Sequence, residues 1–296
     1  MSDPNDDDVE LVLEGKPRDL GDGFQVARVL PAVARRMVGP FVFFDHFGPV
    51  TMPPGQGLDV RPHPHIGLAT VTYLFEGAIV HKDSLGSDLT IRPGAVNWMN
   101  AGRGIVHSER TAAEERAKGP RMHGLQLWVA LPMTHEDSEP TFSHFDAPTF
   151  PEVERDGVRV RVLVGRAFGV TSPVPTAWPT LYVELMLPGG ASIALPPEAD
   201  ERAAYVVSGA ARAGAHVLAP RAMAVFRANR TVTLTADDGG AHVMLIGGAK
   251  MDGPRHVFWN FVSSSKERIE RAKDDWRAGR FPKVPGDEVD FIPLPE

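Results

Sequence analysis

The chain reads as an all-β protein: two barrel or sandwich domains, the second repeating the first, with one helix near the C-terminus. Three observations carry this reading. In 296 residues, 29 glycines and 27 prolines interrupt short apolar runs, which favours many strands and turns over long helices. Those runs have strand length and turn signals between them, the spacing of a sandwich or barrel. Two segments of the first half also return in order in the second. Tyr73-Leu74-Phe75-Glu76-Gly77 matches Tyr205-Val206-Val207-Ser208-Gly209, and Arg92-Pro93-Gly94-Ala95-Val96 matches Ala219-Pro220-Arg221-Ala222-Met223.

Taken in order, residues 1–10 are acidic and polar and are expected to form a frayed tail. Residues 68–75 and 78–84 read as a strand and its return strand around Glu76-Gly77, and 85–88 as a further turn. Residues 89–102 and 123–132 continue the β character, and 133–180, rich in Pro, Ser, Thr and acid, is the expected connection. Strands are expected again within 180–190, 203–210, 217–228 and 241–248. One helix is expected late in the chain. Ser264 with Glu267 three residues on forms a capping-box pattern. Ile269, Ala272 and Trp276 recur at helical spacing, and Gly279 stands at a C′ position, so one apolar stripe should dock on a barrel. The proline-rich tail 281–296 is expected to be extended. The division that follows is 1–140 for the first domain and 141–296 for the connection, the second domain and the helix.

Bulk properties narrow the function. The 43% hydrophobic and 23% charged composition is that of an ordinary globular protein. A net charge of −7 argues against coating nucleic acid or an anionic membrane by charge alone. With no cysteine, disulfides, thiolate metal sites and cysteine nucleophiles are excluded. The N-terminus lacks the basic start and apolar core of a signal peptide, and no window approaches about 18 consecutive apolar residues. The expected location is cytoplasmic.

The chemistry concentrates in two short pairs, His63-Pro64-His65 and His107-Ser108-Glu109. Side chains at i and i+2 of a strand share a face, so neighbouring strands would aim three imidazoles and one carboxylate at one point. Such a donor set suits a divalent first-row metal and leaves coordination positions for water, oxygen or substrate. A lone His-x-His is most often incidental. Here the second pair follows after a length that fits two or three strands and their turns. If 63–75 is one strand, Ala69, Val71, Tyr73 and Phe75 share the histidine face. Pro62 and Pro64 cannot donate ladder hydrogen bonds, which places that segment at an edge or rim. Gly102-Arg103-Gly104 lacks the context of a phosphate loop and reads as a tight turn before the ligand strand. His46 and His123 are candidates for orienting partners or pocket walls, and the remaining histidines, His81 among them, for surface, packing or hydrogen-bonding roles. Phe41, Phe43, Phe47, Trp98, Met99 and Trp128 are core by default, with some available to line a pocket for a flat apolar ligand. Carried into the second half, the ligand positions fall on Leu195, Pro197, Leu234 and Ala236, so that half is expected to hold no metal.

Together these motifs resemble the pirins, members of the cupin superfamily, over nearly the whole chain. The resemblance is carried by residues 41–49, 63–77, 93–109, 123–132, 178–185 and 258–281, and above all by the combination of HPH with AGRGIVHSE. It implies two cupin-type (jelly-roll) β-barrels packed face to face. It implies one mononuclear site held by His63, His65, His107 and Glu109, and a degenerate second barrel without ligands. The general cupin pattern has a glutamate three or four residues after His-x-His, where this chain has Ala69 and Thr70. Glu109 follows the pirin arrangement instead.

Two functions follow from the resemblance. One is a metal-dependent dioxygenase of the quercetin 2,3-dioxygenase kind, with a small aromatic substrate, dioxygen, and Glu109 as the catalytic base. The other is a non-enzymatic, iron-dependent redox sensor read by a protein partner. The expected ion is iron, with copper, nickel, manganese or zinc as alternatives. A purely structural zinc is disfavoured in a chain without cysteine.

Overall fold

The computed structural model describes residues 7–19 and 24–296. The described residues are mostly strand and divide into two compact units. One holds the described residues of 19–26, with Asp45–Ala147 and Asp252–Glu296; the other holds those of 1–18, with Ala27–Phe44 and Pro148–Met251. The units are therefore not consecutive halves, and the expected split between 140 and 141 is crossed at both ends. Strand pairing explains one crossing. Val9–Glu14 pairs antiparallel with Ala222–Phe226, so residues 9 and 10 are sheet rather than frayed tail, and Val9 is buried. Residues 1–6 lie outside the described residues.

In the first unit, Asp59–His65, Ile105–Thr111, Ile79–Asp83 and Asp88–Ile91 form a four-stranded sheet in that order. Asp59–His65 is an edge strand, as its two prolines require. Part of that edge is covered: the Ile292 amide donates to the Pro62 carbonyl at 2.9 Å. A second sheet runs Thr141–Phe145, Val96–Asn100, Leu68–Glu76 and Arg121–Ala130, followed by Phe41–Thr51, of which residues 45–51 belong to this unit. The supposed connection 133–180 thus contributes Thr141–Phe145 to this sheet and Glu152–Arg155 and Val158–Val164 to the other unit. Its polar composition hid short strands whose apolar residues alternate, such as Val158, Val160 and Val162.

Residues 63–75 are not one strand. Gly67 turns between Asp59–His65 and Leu68–Glu76 with φ of 66°, and a Cβ there would sit 2.0 Å from the Val262 carbonyl oxygen. The turn resets the alternation. Thr72 reaches Glu109, so Thr70 and Thr72 occupy the site face, while Ala69, Val71, Tyr73 and Phe75 point the other way, contrary to expectation. The glycine-rich segment before the ligand strand is a tight turn as expected, closed by the Gly104 amide on the Ala101 carbonyl at 2.8 Å.

The helix spans Lys266–Arg277. Its N-cap is Ser265, whose hydroxyl accepts from the Arg268 amide, one residue later than the Ser264–Glu267 pattern suggested. Ser264 is committed elsewhere, with its amide and hydroxyl both donating to Glu136. Ile269 and Ala272 bury against Ile66 and Phe261, with Trp276 partly buried beside them, and Gly279 adopts the expected left-handed C′ conformation at φ of 66°.

The second unit is built on one large antiparallel sheet. Its order is Val9–Glu14, Ala222–Phe226, Glu201–Ala213, Val232–Gly248, Thr180–Leu187, Val158–Val164 and Glu152–Arg155, with Ser192–Leu195 also paired to Val232–Gly248. Its core is a continuous cluster of Val, Leu, Ile, Ala and Phe. No helix among the described residues is long and apolar enough to cross a membrane.

Candidate metal centre

The two ligand pairs sit on adjacent antiparallel strands. His63 is directly opposite His107, and a register shift after His107 sets Glu109 against Val60. The three imidazoles converge, with ring centres 4.4 Å apart for His63–His107 and 5.0 Å for both His63–His65 and His65–His107. Nε2 of His65 and Nε2 of His107 are 3.1 Å apart. Two nitrogens about 2.1 Å from one ion and roughly a right angle apart would have nearly that separation.

Two of the three rings are held from behind by backbone carbonyls. Nδ1 of His63 lies 2.8 Å from the Arg61 carbonyl oxygen, and Nδ1 of His65 lies 3.2 Å from that of Asn260. A carbonyl only accepts, so the proton sits on each Nδ1 and leaves Nε2 as a lone pair. Burial pushes the His63 imidazolium down to about 4, partly opposed by the Arg61 carbonyl. Burial and neighbouring histidine charge hold His65 and His107 well below the usual range. At neutral pH the cluster is therefore three uncharged nitrogen donors, the form in which histidine binds metal.

Glu109 belongs to an overlapping group with His107 and His81, in which donor atoms all lie within 4.8 Å of one another; His63, His65 and His107 form the other such group. Thus the structure gathers three of the four expected ligands into one cluster and places Glu109 beside it, joined through His107. Burial raises the Glu109 carboxyl, with the hydroxyl of Thr72, 3.0 Å from Oε1, pulling the other way. The donors are nitrogen and oxygen, buried and uncharged or acidic, a set that fits a divalent transition metal.

The sequence places His81 among the histidines expected in surface, packing or hydrogen-bonding roles. It is buried, its Nδ1 lies 3.4 Å from Nδ1 of His107, and its ring stacks on Phe142 at 4.3 Å. The missed signal was a third i, i+2 pair, His81-Lys82-Asp83, on the strand that neighbours the HSE strand.

Of the expected pocket residues, Trp128 meets His65 edge-to-face at 5.3 Å. Met99 faces Thr70 across the strands and so shares its face. Phe47 packs with Leu74, Ile79 and Ile91, one row beyond Thr72 on the same face. Three do not reach the site. Trp98 pairs with Val71 and points to the opposite face; Phe41 packs on Tyr182, and Phe43 lies under the Arg28 guanidinium, both in the second unit. His46 and His123 approach each other at 2.7 Å and both contact Phe75, on the face away from Thr72, so they do not orient the ligands. In the second unit, Leu195, Leu234 and Ala236 are core residues and offer no donor.

Comparison with known proteins agrees with the two-domain β fold. The family pattern described as Pirin matches residues 23–129, and that of the Pirin C-terminal cupin domain matches residues 182–282. A pirin-like protein of Caulobacter vibrioides is 50% identical over 291 residues, 97% of this chain and 100% of the relative. The crystal structure of a quercetin 2,3-dioxygenase from Acinetobacter baumannii superposes with a TM-score of 0.89 at 36% identity, covering 97% of this chain and 95% of that one. A bacterial pirin of Escherichia coli, solved in complex with nickel(II), shares the fold at a TM-score of 0.62 and 16% identity, covering 81% of this chain and 99% of that one.

Proposed function

This chain belongs to the pirin family, and we propose that it is a mononuclear metal-dependent dioxygenase acting on a flavonol-like substrate. His63, His65, His107 and Glu109 are the proposed ligands and iron the proposed ion, with copper, nickel, manganese and zinc as competitors for the same donors. The observation that carries this reading is the convergence of three buried, neutral imidazoles, two of them with Nδ1 held by a backbone carbonyl. The named activity of the Acinetobacter baumannii structure supports the substrate class.

A bound divalent metal supplies Lewis-acid polarisation of the substrate oxygens. The residues supply the rest. Trp128 and Met99 offer apolar surface on the site face for a flat ring system. Glu109 is the base that takes the flavonol hydroxyl proton at a carboxylate oxygen. A cation lowers the affinity of a carboxylate for a proton, and burial raises it, so burial of Glu109 works to preserve its basicity. Thr72 donates to Oε1 and so orients the carboxylate. In the overall reaction both atoms of dioxygen enter the opened product and carbon monoxide leaves.

The test is elemental analysis of the purified protein with oxygen uptake on quercetin in iron-, copper- and nickel-loaded forms. Turnover in one form, with loss of metal in His107→Ala, is expected. No turnover in any form would sink the dioxygenase and leave the redox-sensing alternative.

A further inference from the structure

Asp83 and His81 lie behind His107 in a chain of polar contacts. Asp83 is fully buried, and its Oδ1 accepts from the Leu85 amide at 2.9 Å and the Ser87 amide at 3.1 Å. Its other oxygen, Oδ2, lies 3.1 Å from Nε2 of His81. Nδ1 of His81 faces Nδ1 of His107 at 3.4 Å, and Nε2 of His107 faces Nε2 of His65 at 3.1 Å. An ionised carboxylate only accepts, so Nε2 of His81 carries the proton and donates. With Nε2 as its one N–H, His81 presents a lone pair at Nδ1, which can only accept, so Nδ1 of His107 carries the proton between the two rings. Nε2 of His107 is left as the lone pair aimed into the cluster.

We propose that Asp83 and His81 are positioning residues that fix the tautomer and aim of His107. The inference rests on His107 being a metal ligand, as proposed above. His63 and His65 have backbone carbonyls for this task, and His107 has the side-chain pair instead. The register places them: Asp83 is opposite His107, and His81 opposite Glu109. Phe142 stacks on His81 and holds its ring plane. The same geometry weighs against reading His81, His107 and Glu109 as a second metal site. Both Nδ1 atoms would then have to be lone pairs, and His107, already using Nε2 toward His65, would lose both protons.

Cobalt(II) is the probe, with affinity measured against a competing chelator and the ligand N–H protons followed by NMR in water. The cobalt-loaded protein is expected to show three exchangeable hyperfine-shifted N–H resonances, one for each ligand imidazole. His81→Ala should lower cobalt affinity by about 10–100-fold and remove one of them. His81→Asn keeps an acceptor near the Nδ1 position and should restore part of both. Asp83→Asn is the variant closest in shape. With its carbonyl oxygen kept on the Leu85 and Ser87 amides, its NH2 faces Nε2 of His81, which reverses the His81 tautomer and sets two N–H groups against each other at His107. It should weaken cobalt binding while near-ultraviolet circular dichroism of the metal-free protein stays unchanged. Wild-type affinity and three N–H resonances in both His81→Ala and Asp83→Asn overturn the proposal, as does a second cobalt per chain that His81→Ala removes. Stoichiometric cobalt in His107→Ala overturns the ligand assignment itself, and with it the role given to the pair.

Discussion

The two barrels use one strand pairing for opposite ends. In the first, His63 faces His107 across Asp59–His65 and Ile105–Thr111; in the second, Ile193 faces Leu234 and Leu195 faces Val232 across Ser192–Leu195 and Val232–Gly248. At those positions the second interior needs nothing further, because each buried Leu, Ile or Val contributes about 1.5–3 kcal/mol by leaving water. The first interior needs a partner for every polar atom, since an unpaired buried amide-like group costs about 1–3 kcal/mol by protein mutational measures. The histidines and Glu109 find them in the Arg61 and Asn260 carbonyls, in Thr72 and in the Asp83–His81 pair, while Nδ2 of Asn97, opposite Thr72, is left without one among the described residues. A metal-ready barrel therefore carries hydrogen-bonding groups where its twin carries hydrocarbon.

Four experiments break or sharpen that contrast. The largest effect is expected for His107→Ala, which should reduce metal from one ion per chain to almost none, about 100-fold or more in affinity, by elemental analysis. The second barrel should be indifferent to metal and sensitive to volume. Leu234→Ala, at a fully buried site, should lose about 2–5 kcal/mol in urea unfolding with metal content unchanged. Metal loss in that variant would show that the barrels are not independent in this respect.

Acidity separates the interiors next. The folded pKa of His63, about 4, lies below the ordinary value of 6.5. Above 6.5 the histidine is neutral in both states and its contribution is complete. As pH falls from 6.5 toward 4, the unfolded chain takes up a proton that the folded one refuses, and stability falls by about 3 kcal/mol for this residue. His65 and His107 act in the same direction. Urea unfolding of the metal-free protein at pH 8 and pH 5 measures this, and equal stabilities would contradict the buried neutral cluster. The smallest effect is expected at the tail beside the metal-site strands, where Arg110 donates to both carboxylate oxygens of Asp287 at 2.8 and 2.7 Å. Arg110 is about one-third exposed, so Asp287→Asn should cost no more than about 1 kcal/mol, and salt should erase much of the difference.

The strands around Leu68–Glu76, Arg121–Ala130 and Thr180–Leu187 were legible in the sequence because apolar β-rich runs are local and Gly or Pro ends them. The ligand pairs were legible because i, i+2 spacing on a strand needs no knowledge of the fold. Thr141–Phe145 was lost in a polar segment because it borrows its pairing from Val96–Asn100, far back along the chain, whereas Glu152–Arg155 is mostly exposed and pairs locally with Val158–Val164 across Asp156-Gly157, a hairpin signal hidden only by the polar composition around it. The helix cap moved from Ser264 to Ser265 because Glu136, distant in sequence, claims the hydroxyl of Ser264.

By itself, the sequence determined that this is a repeated β protein of the pirin kind, with nitrogen and oxygen donors in one half and hydrocarbon in the matching places of the other. Those are properties of residue type and local spacing. Only the tertiary structure decided which face each strand presents, because the turn at Gly67 resets an alternation that spacing alone would extend. It also decided that Trp128 stands by the histidines and Trp98 does not, and that His81 backs His107. Those facts depend on register between strands, and a one-residue change in register reverses every side chain.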